Sequence, residues 1–116
     1  MGNADEKNLL LMITLFSYYA YAEIKTGPQI EKLYPVAFYH DATNGLYIEF
    51  QQGSMPSCSH EKGGRLSKSN PNYKELYSLL LTMMTNKNFK GNIRYQETNH
   101  KGWWHCSIEG IFAFPL

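Results

Sequence analysis

The sequence predicts a β-rich α+β domain: a small barrel with one amphipathic helix packed on it and one disulfide. Three observations carry this. Residues 70–95, NPNYKELYSLLLTMMTNKNFKGNIRY, read as a helix followed at once by a strand. Two cysteines, Cys58 and Cys106, bracket that stretch. Aromatic residues make up 15% of the chain, nine of them Tyr, and aromatic side chains suit a pleated, half-buried surface.

The first 22 residues have the layout of a cleavable export signal. Leu9 to Tyr19 (LLLMITLFSYY) has the length of a signal core, and Ala20-Tyr21-Ala22 gives a small-x-small cleavage pattern before the polar Glu23. The leading MGNADEK sets Asp5 and Glu6 against Lys7, where such segments are usually basic, so a start site lying further downstream fits better. The apolar run is too short to span a bilayer comfortably. The alternatives are a membrane anchor or a short core helix. The expected organisation is therefore a signal at 1–22 and one domain at 23–116, secreted or periplasmic, with no stable membrane span after cleavage.

Removing residues 1–22 leaves ten basic and eight acidic residues, a net charge of +2 against +1 for the whole chain. Neither value gives a bulk attraction to nucleic acid or acidic membranes, so no nucleic-acid partner is expected. Two cysteines in an exported chain most simply pair. Closing their 48-residue separation would stabilise so small a domain by roughly 4 kcal/mol. Free thiols or metal ligands are the alternative, disfavoured by export and by the absence of CxxC spacing.

Taken in order, 23–29 is a polar lead-in and 30–39 (IEKLYPVAFY) a first strand, an edge strand or one broken at Pro35, which donates no ladder bond. Asn44-Gly45 marks a hairpin. In 46–50 (LYIEF), Leu46, Ile48 and Phe50 share one face and Tyr47 and Glu49 the other. Residues 51–69 carry no periodicity, three glycines and five serines. They read as a surface loop pinned at Cys58, a candidate binding region or a polar connector, with a short strand near 65–67.

The helix spans about 71–87. Tyr73, Leu76, Tyr77, Leu80, Leu81 and Met84 recur on one helical face, and Leu79 and Met83 widen the stripe, as for a helix lying in the groove of a curved sheet. Its start is either Asn70 capping Pro71 or a capping box of Asn72 with Glu75. Asn86-Lys87-Asn88 ends it, Asn tolerating a left-handed close. A strand at 92–97 and a turn at 98–102 follow. The last strand runs from 103 to 114, with Trp104, Cys106, Ile108, Phe112 and Phe114 on one face and Gly110 marking a bulge or bend.

No GxSxG, HExxH or glycine-rich phosphate loop occurs, and His40, His60, His100 and His105 match no metal-ligand spacing. No catalytic residue, metal or cofactor is assigned. Glu49, Glu97 and Glu109 lie on strands, where solvent-facing glutamates are ordinary; paired as acid and base they would make a small hydrolase, the weakest alternative. Exposed rings at Tyr39, Tyr47 and Trp103 are the candidate ligand contacts, suited to stacking on a sugar or peptide. Self-packing or a subunit interface would use the same rings.

The layout of signal, two strands, cysteine loop, helix and two strands resembles the B subunits of subtilase-cytotoxin and pertussis-like AB5 toxins, and a wider group of small secreted bacterial proteins. The match rests on residues 70–95 and on Cys58 before the helix and Cys106 in the strand after it. The resemblance implies an OB-type barrel, a ring-shaped homo-oligomer, and recognition of a glycan or protein surface by a non-catalytic domain. The Tyr-x-Ser segment those subunits use for sialoglycan contact has no counterpart in Tyr39 to Leu46 (YHDATNGL), which lacks the serine, so no sugar-binding residue is carried over. The rival is a monomeric periplasmic or envelope interaction protein.

Overall fold

The computed structural model describes residues 23–116; the expected signal at 1–22 lies outside them. Six strands form one mixed sheet: β1 (Lys25–Thr26), β2 (Ala37–Asp41), β3 (Gly45–Glu49), β4 (Gly63–Leu66), β5 (Phe89–Glu97) and β6 (Cys106–Pro115). Among the described residues one α-helix, α1 (Tyr73–Thr85), joins β4 to β5. The hydrogen-bonded order is β1-β5-β6-β4-β3-β2, with every pair antiparallel except β4 and β6. The sheet is open, not the closed barrel expected, since among the described residues no ladder joins its two outer strands.

Those outer strands are neighbours in the chain, linked by 27–36. This link first follows β5: Gly27 donates to the Ile93 carbonyl, Ile30 bridges Gly91, and Leu33 donates to the Phe89 carbonyl. It then crosses to β3, where Val36 donates to the Glu49 carbonyl. The first strand expected over 30–39 is therefore split. Pro35 falls in the split, and β2 begins only at Ala37, on the open edge where a missing donor costs least. Gln51 holds the crossing through a reciprocal pair of 3.0 Å bonds to the Tyr34 backbone.

The β2–β3 hairpin forms where expected, but its turn has three residues between the paired Asp41 and Gly45. Asp41 Oδ1 accepts from the Thr43 and Asn44 amides, and Gly45, at φ +100°, takes the left-handed position. This is the three-residue hairpin geometry, in which the glycine and not the asparagine carries positive φ.

The core lies between the inner sheet face and α1. Leu46, Ile48, Leu66, Ile93, Tyr95, Cys106 and Ile108 come from the strands, Leu76, Leu80 and Met83 from the helix. Leu76, Leu80 and Met83 of the expected stripe are buried, while Leu81, expected on it, is 39% exposed. The helix starts later than Pro71, at Tyr73, after an Asn70 side chain that accepts from the Asn72 amide at 2.8 Å. It closes at an extended Asn86, not a left-handed one.

Cys58 and Cys106 form the disulfide, with Cα atoms 5.8 Å apart. Both halves are buried, as are Ser54 and Met55, so the early part of the 51–69 loop belongs to the core. The last strand is interrupted near its start. Trp103 and Trp104 lie in a 3-10 turn, Gly102–Trp104, and β6 begins at Cys106. Its bulge is at Glu109: Arg94 pairs with Gly110 and Tyr95 with Ile108, leaving Glu109 without a partner. One extra residue reverses the alternation beyond it. Ile111 and Ala113 therefore pack on the core, and Phe112, expected on the same face as Ile108, is 62% exposed.

Candidate functional site

The register of the sheet sets one row of residues across its outer face. Tyr39 of β2 pairs with Tyr47 of β3, Tyr47 with Arg65 of β4, Arg65 with Ser107 of β6, and Ser107 with Gln96 of β5. Partners in register project to the same side, so the row runs from aromatic to polar over five strands.

The aromatic end is a stacked cluster. Trp103 lies nearly parallel to the Tyr47 ring, 5.3 Å between centroids and 25° between planes. Tyr39 meets the Trp103 edge at 6.0 Å, and His60 approaches the same indole at 5.5 Å. Trp104 packs on Tyr47 from another side at 6.0 Å. The structure thus brings Tyr39, Tyr47 and Trp103 together but gives them different exposures. Tyr39 and Trp103 are 49% and 45% exposed; Tyr47, expected to be exposed, is 2% exposed because Trp103 and its neighbours cover it.

Backbone chemistry builds this shelf. Gly102 at φ +64° turns the β5–β6 loop so that the two Trp side chains fold back over β3. Thr98 ties the base of the loop, its amide and its hydroxyl both donating to the His105 carbonyl at 2.8 Å. Gly63 leaves room for the Tyr47 phenol, since a Cβ there would collide with its oxygen. The Tyr47 hydroxyl donates to Glu49 Oε2 at 3.3 Å, and Lys62 Nζ lies 3.1 Å from Glu49 Oε1. Burial, and next the Glu49 charge, raise the Tyr47 phenol well above its ordinary range.

At the polar end a cleft of about 560 Å³ opens between the β5–β6 loop and the segment leading into α1. Hydroxyls of Ser67, Ser69, Thr98 and Ser107 line it around Arg65 and His100. A second hollow of about 290 Å³ shares Arg65, Ser67 and Ser69 with the first and reaches the β2–β3 turn. Arg65 is the wall between them. Its Nη1 meets His100 Nε2 at 2.9 Å, while its Nε is buried without a partner beside Gly45.

No protein-family model, curated protein or solved structure matches the chain.

The strand glutamates are otherwise engaged. Glu49 pairs with Lys62, and Glu97 with Lys25 at 2.6 Å and His105 at 3.3 Å. The Lys25 hydrogen bond holds the Glu97 carboxyl below its usual range. Glu109 lines the cleft as its one carboxylate. Among the described residues no three His, Cys, Asp or Glu side chains gather as a metal cage. Nothing in the sequence sets Arg65, Ser67, His100 and Ser107 apart as a group. Their common address depends on the parallel β4–β6 pairing, which joins residues 42 positions apart (Arg65↔Ser107) and leaves no local pattern.

Proposed function

We propose that this chain is an exported, non-catalytic binding domain that recognises a glycan on the outer face of its sheet. One observation carries the reading: an exposed indole is held flat on a buried phenol, in the same row as a cleft lined by hydroxyls and a guanidinium. Sugars present apolar C–H faces between rings of hydroxyls, so an aromatic plate beside clustered donors and acceptors meets both sides of their chemistry. The cleft volume is in the range of small-ligand sites.

The strand arrangement supports an OB-type barrel. Strands β2-β3-β4-β6-β5 form a five-strand run, and the 27–36 link bonds to both β5 and β3 across the gap. In OB-folds the sheet face and the loops between strands one and two and between four and five take up oligosaccharides or oligonucleotides. Here those loops are the β2–β3 turn, which lines the smaller hollow, and the β5–β6 loop, which lines the larger. The near-neutral charge favours the oligosaccharide. The buried disulfide supports an oxidising compartment. A ring of B-subunit type, and a protein partner within it, belong to the same reading. Paired-carboxylate hydrolysis takes two carboxyl groups, and the cleft lining offers Glu109 alone.

A glycan array probed with the wild type and with Trp103→Ala tests this. The wild type should bind a subset of glycans, and the variant should lose about tenfold or more, the loss expected for removing an aromatic platform. Its far-ultraviolet circular dichroism should stay unchanged. Silence of the wild type over the array, or equal binding by the variant, defeats the glycan reading and leaves the envelope interaction protein as the better account.

A further inference from the structure

We infer that the β5–β6 loop, residues 98–105, is an acid-opened latch whose catch is the hydrogen bond between Arg65 and His100. A guanidinium only donates and stays charged at every working pH. At 2.9 Å from Arg65 Nη1, His100 Nε2 must therefore be the acceptor, and only a ring without a proton on that nitrogen can accept. Protonation turns the pair into two facing donors that are both cations. Histidine is the side chain whose charge ordinarily changes between about pH 5 and pH 8.

The charges around His100 determine how the loop responds. Arg65 faces it from β4, Lys101 follows it in the loop, and Glu109 looks into the same cleft from β6. Among the described residues Glu109 forms no ion pair with either His100 or Arg65. A protonated His100 is therefore repelled by Arg65 and drawn towards Glu109, away from its place on β4. Its own amide donates to Thr98 Oγ1 at 3.2 Å, a bond indifferent to the charge of the ring. Residues 99–102 are exposed, so once the catch is gone the tip is held mainly by Trp103 against Tyr47, Tyr39 and His60.

The other end of the loop is built to stay. His105 Nδ1 accepts from the Ser59 amide at 2.9 Å, and its Nε2 faces Glu97 Oε1 at 3.3 Å. A second proton on this ring would cost the Ser59 bond, but the two Thr98 bonds to the His105 carbonyl involve no titrating group and hold this end at either pH. Cys106, the next residue, is fixed by the disulfide. The loop thus hinges near His105 and opens at His100, carrying Trp103 off Tyr47. That opening releases a bound glycan rests on the proposed function; that the loop opens does not.

Hydrogen exchange read by mass spectrometry on the oxidised protein tests the latch without any ligand. Protection is compared at about pH 7.5 and about pH 5.5, on either side of the histidine range, after correction for the intrinsic exchange rates. In the wild type, protection over the loop should fall about tenfold or more at the lower pH while β5 and β6 keep theirs. His100→Gln retains an acceptor oxygen and takes up no proton, so its loop should be equally protected at both. His105→Gln should keep the wild-type fall. Equal protection of the wild-type loop at both pH values overturns the inference. So does a fall that persists in His100→Gln, or one that vanishes in His105→Gln.

Discussion

A phenol lying under an indole and beside a carboxylate has little room to ionise. Burial is the larger cause at Tyr47 and the Glu49 charge the next; both raise the phenol above its ordinary value near 10. In the unfolded chain Tyr47 deprotonates first, so its contribution to stability is whole below about pH 10 and is lost as pH rises beyond it. Denaturant unfolding followed from about pH 8 to pH 11 should therefore show a falling midpoint whose slope is reduced in Tyr47→Phe. An equal slope in the variant would assign the alkaline loss elsewhere. Gly63 matters for the same ring. In Gly63→Ala the new Cβ would lie 2.6 Å from the Ile48 carbonyl oxygen as well as against the phenol. Overpacking of this kind costs about 1–3 kcal/mol, and urea unfolding should find it. The alternation of 46–50 correctly put Tyr47 opposite the core. It could not show that the outer face has a cover of its own, because that cover is Trp103, 56 residues later (Tyr47–Trp103).

Elements were legible where their signal is local. The α1 stripe, the β3 alternation, the Asn-Gly hairpin and the cysteine bracket are patterns within a few turns or a few residues, and the structure contains all four. What escaped depends on partners distant in sequence. The split at Pro35 arises because 27–36 serves β5 before β3, and the reversed face of β6 arises from one unpaired residue, Glu109. Gly110 pointed to that bulge within one position, but the expected faces ran the alternation straight through it, and that is what misassigned Phe112. The disulfide belongs to this scale too, since it ties the 51–62 loop to the first residue of β6. Its reduction, or Cys58→Ser with Cys106→Ser, should cost about 4 kcal/mol by the chain-entropy argument for a 48-residue separation. In a domain of this size that lowers Tm by about 15 °C or more, measurable by calorimetry with and without reductant. A shift of only one or two degrees would mean the buried neighbours already hold the two segments together.

For the whole molecule, the question is what covers the surfaces that folding leaves apolar. Phe112 is 62% exposed and meets Phe114 at 5.3 Å; Lys90 lies over the Phe114 ring, leaving Phe112 the more open of the two. Val36 and Tyr39 are half exposed at the other edge of the sheet, where β2 has no outer neighbour. A five-residue edge strand without a lysine has little to discourage pairing. These are two different surfaces, so a contact between one copy's Phe112 face and the next copy's β2 edge would be heterologous, and such contacts close into rings when the rotation permits. The ring in the proposed function therefore has a definite test. Sedimentation equilibrium should give a multiple of the chain mass greater than one, and Phe112→Glu should return the protein to monomer with its circular dichroism unchanged, because the side chain it alters is 62% exposed. A wild type that stays monomeric up to about 100 μM, far above the Kd of a stable assembly, would remove the ring and leave the proposed glycan site to a single copy of the chain.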